Sequence, residues 1–396
     1  MITANAGNDA GGIATFASVG AEHGYRLLWI LIPITISLGL VQEMCARMGA
    51  VTGKGLADLI RERFGVRWTA LVMLALLIAN GGVTVSEFVG IAAATELFGI
   101  PRFISVPIAA ISIWWLIVKG SYKRVERVFL LMTLVFLGYV VSAFLAGPEW
   151  RTVAGELVRP RFSLDGAYLF TVVAIVGTTI SPYMQVYVQS SVVEKGVTSE
   201  DYRRTRIDVW VGTVFAILIA FFIVVSTSAT LHKHGIQINS AADAARALRP
   251  LAGNYAEALF GIGLFGASML AAGVLPLATA YSVSEALGFE KGVSRSFREA
   301  PTFIGIFTFL VAVGAAIAVI PNLPLIQVLL VTQVINGLLL PVILFAILRL
   351  INNREIMGTH VNGPAYNIGA WLTAVIVTLL SLLLVLVTLF PQLFRS

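Results

Sequence analysis

Asp9 is a carboxylate set among small residues, in Asn5-Ala6-Gly7-Asn8-Asp9-Ala10-Gly11-Gly12, inside an apolar stretch over 2–21. A second polar interruption, Thr178-Thr179-Ile180-Ser181-Pro182-Tyr183 followed by Gln185 and Gln189, divides an apolar stretch over 166–193. Pro182 has no amide hydrogen, so a carbonyl one turn earlier, near Thr178, is left free. A carboxylate beside one broken helix and a freed carbonyl beside another are groups that a cation satisfies. An ionisable side chain at the centre of a membrane helix costs about 2.5–3.5 kcal/mol on insertion scales, so the few that occur carry information. Glu87, after Asn80 and Thr84, requires a water-filled path or a compensating partner. Gln333 and Asn336 fit either contact with a substrate or a hydrogen bond between helices.

The elements that position these residues follow from composition. The chain has 396 residues, 58% hydrophobic and 12% charged, with a mean hydropathy of +0.90. Soluble domains run about 45–50% apolar and about 25% charged, so both a soluble fold and disorder are excluded. Cys45 is the one cysteine, which rules out an internal disulfide or a cysteine metal cluster. Uncharged apolar runs cover 27–42, 68–86, 103–118, 128–148, 166–193, 209–231, 258–284, 301–348 and 361–394. Pro321-Asn322-Leu323-Pro324 cuts the 48-residue run in two, giving ten spans, and the interrupted 2–21 stretch makes eleven. The ten-residue alternation of a β-barrel is missing. The spacing predicts an all-α polytopic membrane protein in a single domain. Repeat one covers about 1–148, repeat two about 164–350 and an extra helix about 364–391.

Loops after the even-numbered spans carry 18 of the 27 Lys and Arg residues. That bias predicts a cytoplasmic N-terminus in the cell membrane, with the lipid bilayer as a partner. No basic region followed by an apolar stretch marks a cleavable signal. Eight residues precede Asp9, which leads to the expectation that the numbered chain begins inside the first helix. His23, His232, His234 and His360 fall in predicted loops, and His232-x-His234 reads as a solvated face rather than a metal site. Glu43 is expected to end the second span at the interface, and Tyr25, Trp29 and Trp68 read as interfacial anchors. Interrupted first and sixth spans, in corresponding places of two five-helix halves, point to an inverted-repeat secondary transporter with a midplane site.

The second span and its exit, Gln42-Glu43-Met44-Cys45-Ala46-Arg47-Met48-Gly49-Ala50-Val51-Thr52-Gly53-Lys54-Gly55-Leu56-Ala57, resemble the NRAMP divalent-metal transporters. So do Thr332-Gln333-Val334, Leu340-Pro341 and Asn353-Arg354-Glu355-Ile356-Met357-Gly358 in and after the tenth span. The resemblance runs through essentially the whole chain. It implies a LeuT-like fold, an inverted repeat of five plus five helices followed by an eleventh. Members moving transition metals carry Asp-Pro-Gly-Asn where this chain has Asp9-Ala10-Gly11-Gly12, so the carboxylate is kept and the Asn becomes Gly12. Their Met-Pro-His matches Ser181-Pro182-Tyr183, so the thioether and the histidine are both replaced. A second histidine falls near Gln189, and an acidic residue of the third span falls at Thr84, with its acidic neighbour at Glu87. These departures look like the NRAMP-related magnesium transporters, a branch described as carrying Mg²⁺, and also Mn²⁺, without proton coupling.

Carboxylate, carbonyl and water suit Mg²⁺ and Mn²⁺, whereas a thioether favours softer ions. Mg²⁺ sheds water reluctantly and is usually held by one or two carboxylates with several waters retained. The expected site is therefore wide and wet. Asp9 is its main anionic ligand, and Asn8, Gly12, Thr178, Ser181, Tyr183, Gln185 and Gln333 surround the hydrated ion. The metal is transported cargo rather than a cofactor, and the expected state is a monomer with no nucleic-acid partner. The competing readings are a proton-coupled Mn²⁺/Fe²⁺ transporter of NRAMP type and an amino-acid/Na⁺ symporter on the LeuT-like scaffold. An intramembrane enzyme is disfavoured, because no Gly-x-Ser-x-Gly elbow occurs and the histidines lie outside the spans.

Overall fold

A computed structural model describes residues 9–118, 134–200, 202–289 and 299–390. Among them every regular element is helical. The helices used below are α1 Ala10–His23, α2 Leu31–Thr52, α3 Leu56–Glu96, α4 Arg102–Val118, α5 Gly138–Leu145, α6 Trp150–Leu157 and α7 Gly166–Thr179. They continue with α8 Pro182–Glu194, α9 Tyr202–Thr230, α10 Ala256–Leu287, α11 Pro301–Ala318, α12 Leu325–Ile351 and α13 Pro364–Leu389. Eight helical stretches are long and apolar enough to cross a membrane, and two shorter apolar helices lie over Arg102–Val118 and Leu134–Leu145. The first of the eight, Ala10–Thr52, contains both α1 and α2, which a 3₁₀ turn over Gly24–Ile30 joins. All eleven expected spans thus have a helical counterpart among the described residues. Asn8, and basic residues of two loops such as Lys123 and Arg295, lie outside them.

Most of the expected interruption in the first span, residues 5–8, lies outside the described residues; the other turns have local causes. Asp9 is the N-cap of α1, with extended backbone and its side chain accepting from the Gly12 amide. α7 ends at Thr179, Ser181 takes an extended conformation, and Pro182 opens α8 at its first position, where the missing amide costs nothing. Asn322 adopts a left-handed φ of 59° in the Pro321–Pro324 turn between α11 and α12, a conformation Asn tolerates better than most residues.

Three expectations based on uncharged runs need correcting. The second span does not end at Glu43: α2 continues to Thr52, and Glu43 is a buried residue within it, paired with Arg47 one turn on. The third span exceeds 68–86, because α3 runs over Leu56–Glu96 with a kink at Gly65 and passes straight through Glu87. His23 is the last residue of α1 rather than a loop residue.

Small residues let the helices around the α1 terminus and the α7–α8 break approach closely. A Cβ added at Gly177 of α7 would strike the Gln333 carbonyl and the Gly337 backbone of α12. At Gly90 of α3 it would strike Ser268 of α10 and Ala10 of α1. Large apolar side chains such as Ile111, Trp115, Val211, Ile368 and Leu379 point outward from α4, α9 and α13, as a lipid-facing surface requires.

Candidate cation site

The site forms where the α1 terminus and the α7–α8 break meet α3 and α12. Asp9 Oδ1 accepts from the Gly12 N–H at 2.6 Å. Its other oxygen, Oδ2, is buried and has no hydrogen-bond partner. Glu87 reaches the same helix terminus from α3: its Oε2 accepts from the Ala10 N–H at 3.3 Å, and its Oε1 accepts from Ser86 Oγ at 3.4 Å. Glu87 is 0% and Asp9 3% exposed, and none of the ion pairs among the described residues includes either. A helix N-terminus offers about half a positive charge, so two carboxylates there, if both ionised, would leave a net negative charge out of water that a proton or a cation must answer. Such a charge costs several kcal/mol unless something positive answers it.

Gln333 of α12 lies directly against Gly11, where its amide occupies the space a Cβ would take. One turn further along α12, Asn336 Nδ2 donates to Ser181 Oγ at 2.5 Å and to the Gly177 carbonyl at 3.4 Å. It also lies 3.5 Å from Gln333 Oε1, tying the two amides together. Gln185 Nε2 donates to the Ser181 carbonyl at 3.3 Å. These contacts form a continuous chain of neighbours, from Glu87 through Ala10, Gly11, Gln333, Asn336 and Ser181 to Gln185.

Buried oxygens without partners mark what the chain leaves open: Asp9 Oδ2, Thr178 Oγ1, Gln185 Oε1 and Asn336 Oδ1. Gln333 Nε2 is likewise unpartnered, and a half-turn of that amide presents its oxygen instead. Buried polar atoms normally have a partner, so unmatched oxygens on the helices that meet at this terminus point to water or an ion. Among the described residues no group of three or more His, Cys, Asp or Glu is placed to hold a metal. The available donors are one carboxylate edge, amides, hydroxyls and backbone carbonyls, which are oxygen ligands for a hard cation.

The Nramp family model, described as natural resistance-associated macrophage protein-like, matches residues 1–387. The chain belongs to the Nramp family. A curated relative, the divalent metal cation transporter MntH of Ralstonia nicotianae, is 30% identical over 95% of this chain and 87% of its own length. The Eremococcus coleocola manganese transporter superposes with a TM-score of 0.75 at 20% identity, covering 96% of this chain and 84% of that one. The amino-acid-bound MhsT structure superposes at 0.58 with 15% identity, covering 97% of each chain. This Nramp chain therefore has the LeuT-like fold, an inverted repeat of five plus five helices with an eleventh, and among the described residues the sixth is broken between Thr179 and Pro182.

Within that fold the expected residues separate into groups. Ser181, Gln185 and Gln333 lie on the chain of contacts above, Asp9 adjoins it at Ala10, and Thr178 contributes an unpartnered hydroxyl at the end of α7. Gly12 supplies its N–H to the Asp9 carboxylate. Tyr183 is packed with Val83 and Leu275, on the side of α8 facing α3 and α10. Asn8 lies outside the described residues. Asn336 bonds between helices, one of the two roles open to it, and also keeps a free oxygen. Sequence reasoning missed Ser268, which lies against the space beside Ala10 with its hydroxyl unpartnered. A lone Ser in an apolar helix carries no distinguishing signal, because most bond their own helix.

Proposed function

We propose that the protein carries divalent metal cations across the cell membrane by alternating access, with the ion bound at Asp9. The observation that carries this reading is the unmatched Asp9 oxygen at a helix terminus shared with a second buried carboxylate, with unpartnered amide and hydroxyl oxygens on α7, α8 and α12. Relatives named for divalent metal and manganese transport make Mn²⁺ the first ion. The donor set favours Mg²⁺ as a second: it offers no thioether or imidazole, and its amides and hydroxyls bind water as readily as metal. Asp9 supplies the charge, while Gln333, Asn336, Ser181, Gln185 and Thr178 hold the ion's remaining waters. The Lys/Arg bias supports a cytoplasmic N-terminus.

Uptake driven by the membrane potential, without obligatory proton coupling, is the energetic part of the proposal. An elementary charge gains about 2.3 kcal/mol per 100 mV, so a divalent ion gains roughly 4.6. At about 1.4 kcal/mol per decade this supports more than a 10³-fold gradient. Both Glu87 oxygens are engaged by the α1 terminus and Ser86, which suits a structural carboxylate. The test is uptake of Mn²⁺ and Mg²⁺ into proteoliposomes containing a pH indicator under a negative-inside potential. Cation entry with no stoichiometric pH change supports the proposal. A fixed proton count per ion overturns the coupling part in favour of the proton-coupled alternative, and no uptake of either ion overturns the whole.

A further inference from the structure

Polar residues continue along α1 beyond the site. Gly11, Thr15, Ser18 and Glu22 are spaced by four, three and four, so they share one face of the helix. The same spacing recurs on α7, where Ala167, Thr171, Ala174 and Thr178 form one face that ends at the site. Between these faces lies a cavity of about 120 Å³, bounded by Thr15, Ser18, Glu22, Thr171 and Ala174 and closed by Leu330 of α12. Leu330 is one turn from Gln333, so the cavity continues the three faces that carry Gly11, Thr178 and Gln333. Its volume holds several waters.

Two independent features give the cavity a chemical preference. Ser18 is 4% exposed, lines the cavity, and has a hydroxyl oxygen with no partner. Glu22 brings a carboxylate to the rim, with its side chain 44% exposed. Nearby, His23 Nε2 lies 3.2 Å from Thr171 Oγ1 and 4.0 Å from the Glu22 carboxylate. Thr15 and Thr171 donate their hydroxyl hydrogens to the Gly11 and Ala167 carbonyls, which leaves their oxygens as acceptors. Val19, Ala167, Phe170 and Leu330 complete the wall, so the hydroxyl oxygens are polar points on a mainly apolar lining, and the Glu22 carboxylate at the rim is the group that attracts a cation.

We propose that Glu22, Ser18, Thr15 and Thr171 form a capture site for a hydrated divalent cation, reaching along α1 from about 9 Å from Asp9 at Thr15 to about 20 Å at Glu22. It rests on the transport function proposed above and lies on the side away from the Lys/Arg-rich loops. The ion is held there through its waters and then passes inward along the shared faces. Glu22 therefore sets how often an ion arrives rather than how fast a bound one crosses, as expected of a charge that concentrates its substrate.

The test measures Mn²⁺ uptake by full-length protein in liposomes at low and high salt. Glu22→Gln is expected to raise KM about tenfold at low salt, leave kcat unchanged and flatten the salt dependence of KM. Glu22→Asp is expected to keep the wild-type pattern. In a second measurement, Glu22→Cys is labelled by a membrane-impermeant thiol reagent and Mn²⁺ is expected to slow the reaction. The buried Cys45 gives little background. An unchanged KM and salt dependence in Glu22→Gln, or labelling indifferent to Mn²⁺, overturns the capture site while leaving transport at Asp9 standing. A wild-type protein that moves no divalent cation overturns the transport function itself.

Discussion

Asp9 and Glu87 end on the same helix terminus from opposite directions: Asp9 caps α1 from within at the Gly12 amide, and Glu87 caps it from α3 at the Ala10 amide. Glu87 thereby fixes the position of the residue next to Asp9. Removing it orphans the Ala10 N–H, a loss of about 1–3 kcal/mol for a buried donor. Glu87→Ala is expected to lower the thermal midpoint in detergent and to weaken Mn²⁺ binding. The pH profile of uptake by Glu87→Gln separates this anchoring role from proton carriage: an unchanged profile supports anchoring, and a shifted one supports carriage.

Gly177 and Gly11 both face α12 but should respond differently to alanine. At Gly177 the added methyl meets the backbone of Gln333 and Gly337, which cannot yield without separating α7 from α12. Overpacking of this kind costs about 1–3 kcal/mol. At Gly11 it meets the amide end of Gln333, which can swing aside. Gly177→Ala is expected to lower thermal stability markedly. Gly11→Ala should leave stability close to wild type but raise KM for Mn²⁺, because Gln333 is displaced. Melting curves and uptake assays on the two variants check the contrast.

Ion preference should follow the donors at the breaks. Gly12→Asn with Ser181→Met places an amide and a thioether beside Asp9, and a soft donor favours softer ions. The double variant is expected to bind Cd²⁺ more tightly and Mg²⁺ less tightly than the wild type. Competition of each ion against Mn²⁺ uptake measures the change.

A polar network away from the site joins α2, α9 and the start of α13. Glu43 accepts from Tyr202 and from Arg47 Nη2 at 3.2 Å, and Arg47 also donates to Asn362 and to the His360 carbonyl at 3.0 Å. The Glu43 and Arg47 side chains are 4% and 12% exposed. Leaving one member of a buried pair alone costs about 3–5 kcal/mol. Arg47→Ala is therefore expected to destabilise more than the double change Glu43→Gln with Arg47→Met, as comparison of their unfolding midpoints will show.

The α7–α8 break was legible because its cause is local. Pro182 follows a run of Thr, Ile and Ser and cannot supply its amide, which marks an interruption there, whereas Pro107, Pro276 and Pro341 sit inside continuous helices. Helix lengths were less legible, since an uncharged run stops at Glu43 or Glu87 while the helix does not. Charge marks the end of a span only when it faces water, and both carboxylates are buried against partners distant in the fold or one turn along. Partnerships across helices were hidden for the same reason. Nothing in the spacing of Gln333 and Asn336 shows that one meets Gly11 and the other Ser181, because periodicity gives a face but not the helix opposite. Tyr183 illustrates the same point: its neighbours Val83 and Leu275 lie on α3 and α10, and no spacing in the sequence names those helices.

Anomalous scattering from crystals grown with Mn²⁺ is the most direct measurement. The expected result is a single peak within coordinating reach of the Asp9 carboxylate, with water completing the ion's shell towards Gln333, Asn336 and Ser181. A peak enclosed by side chains elsewhere, with no density beside Asp9, would contradict it.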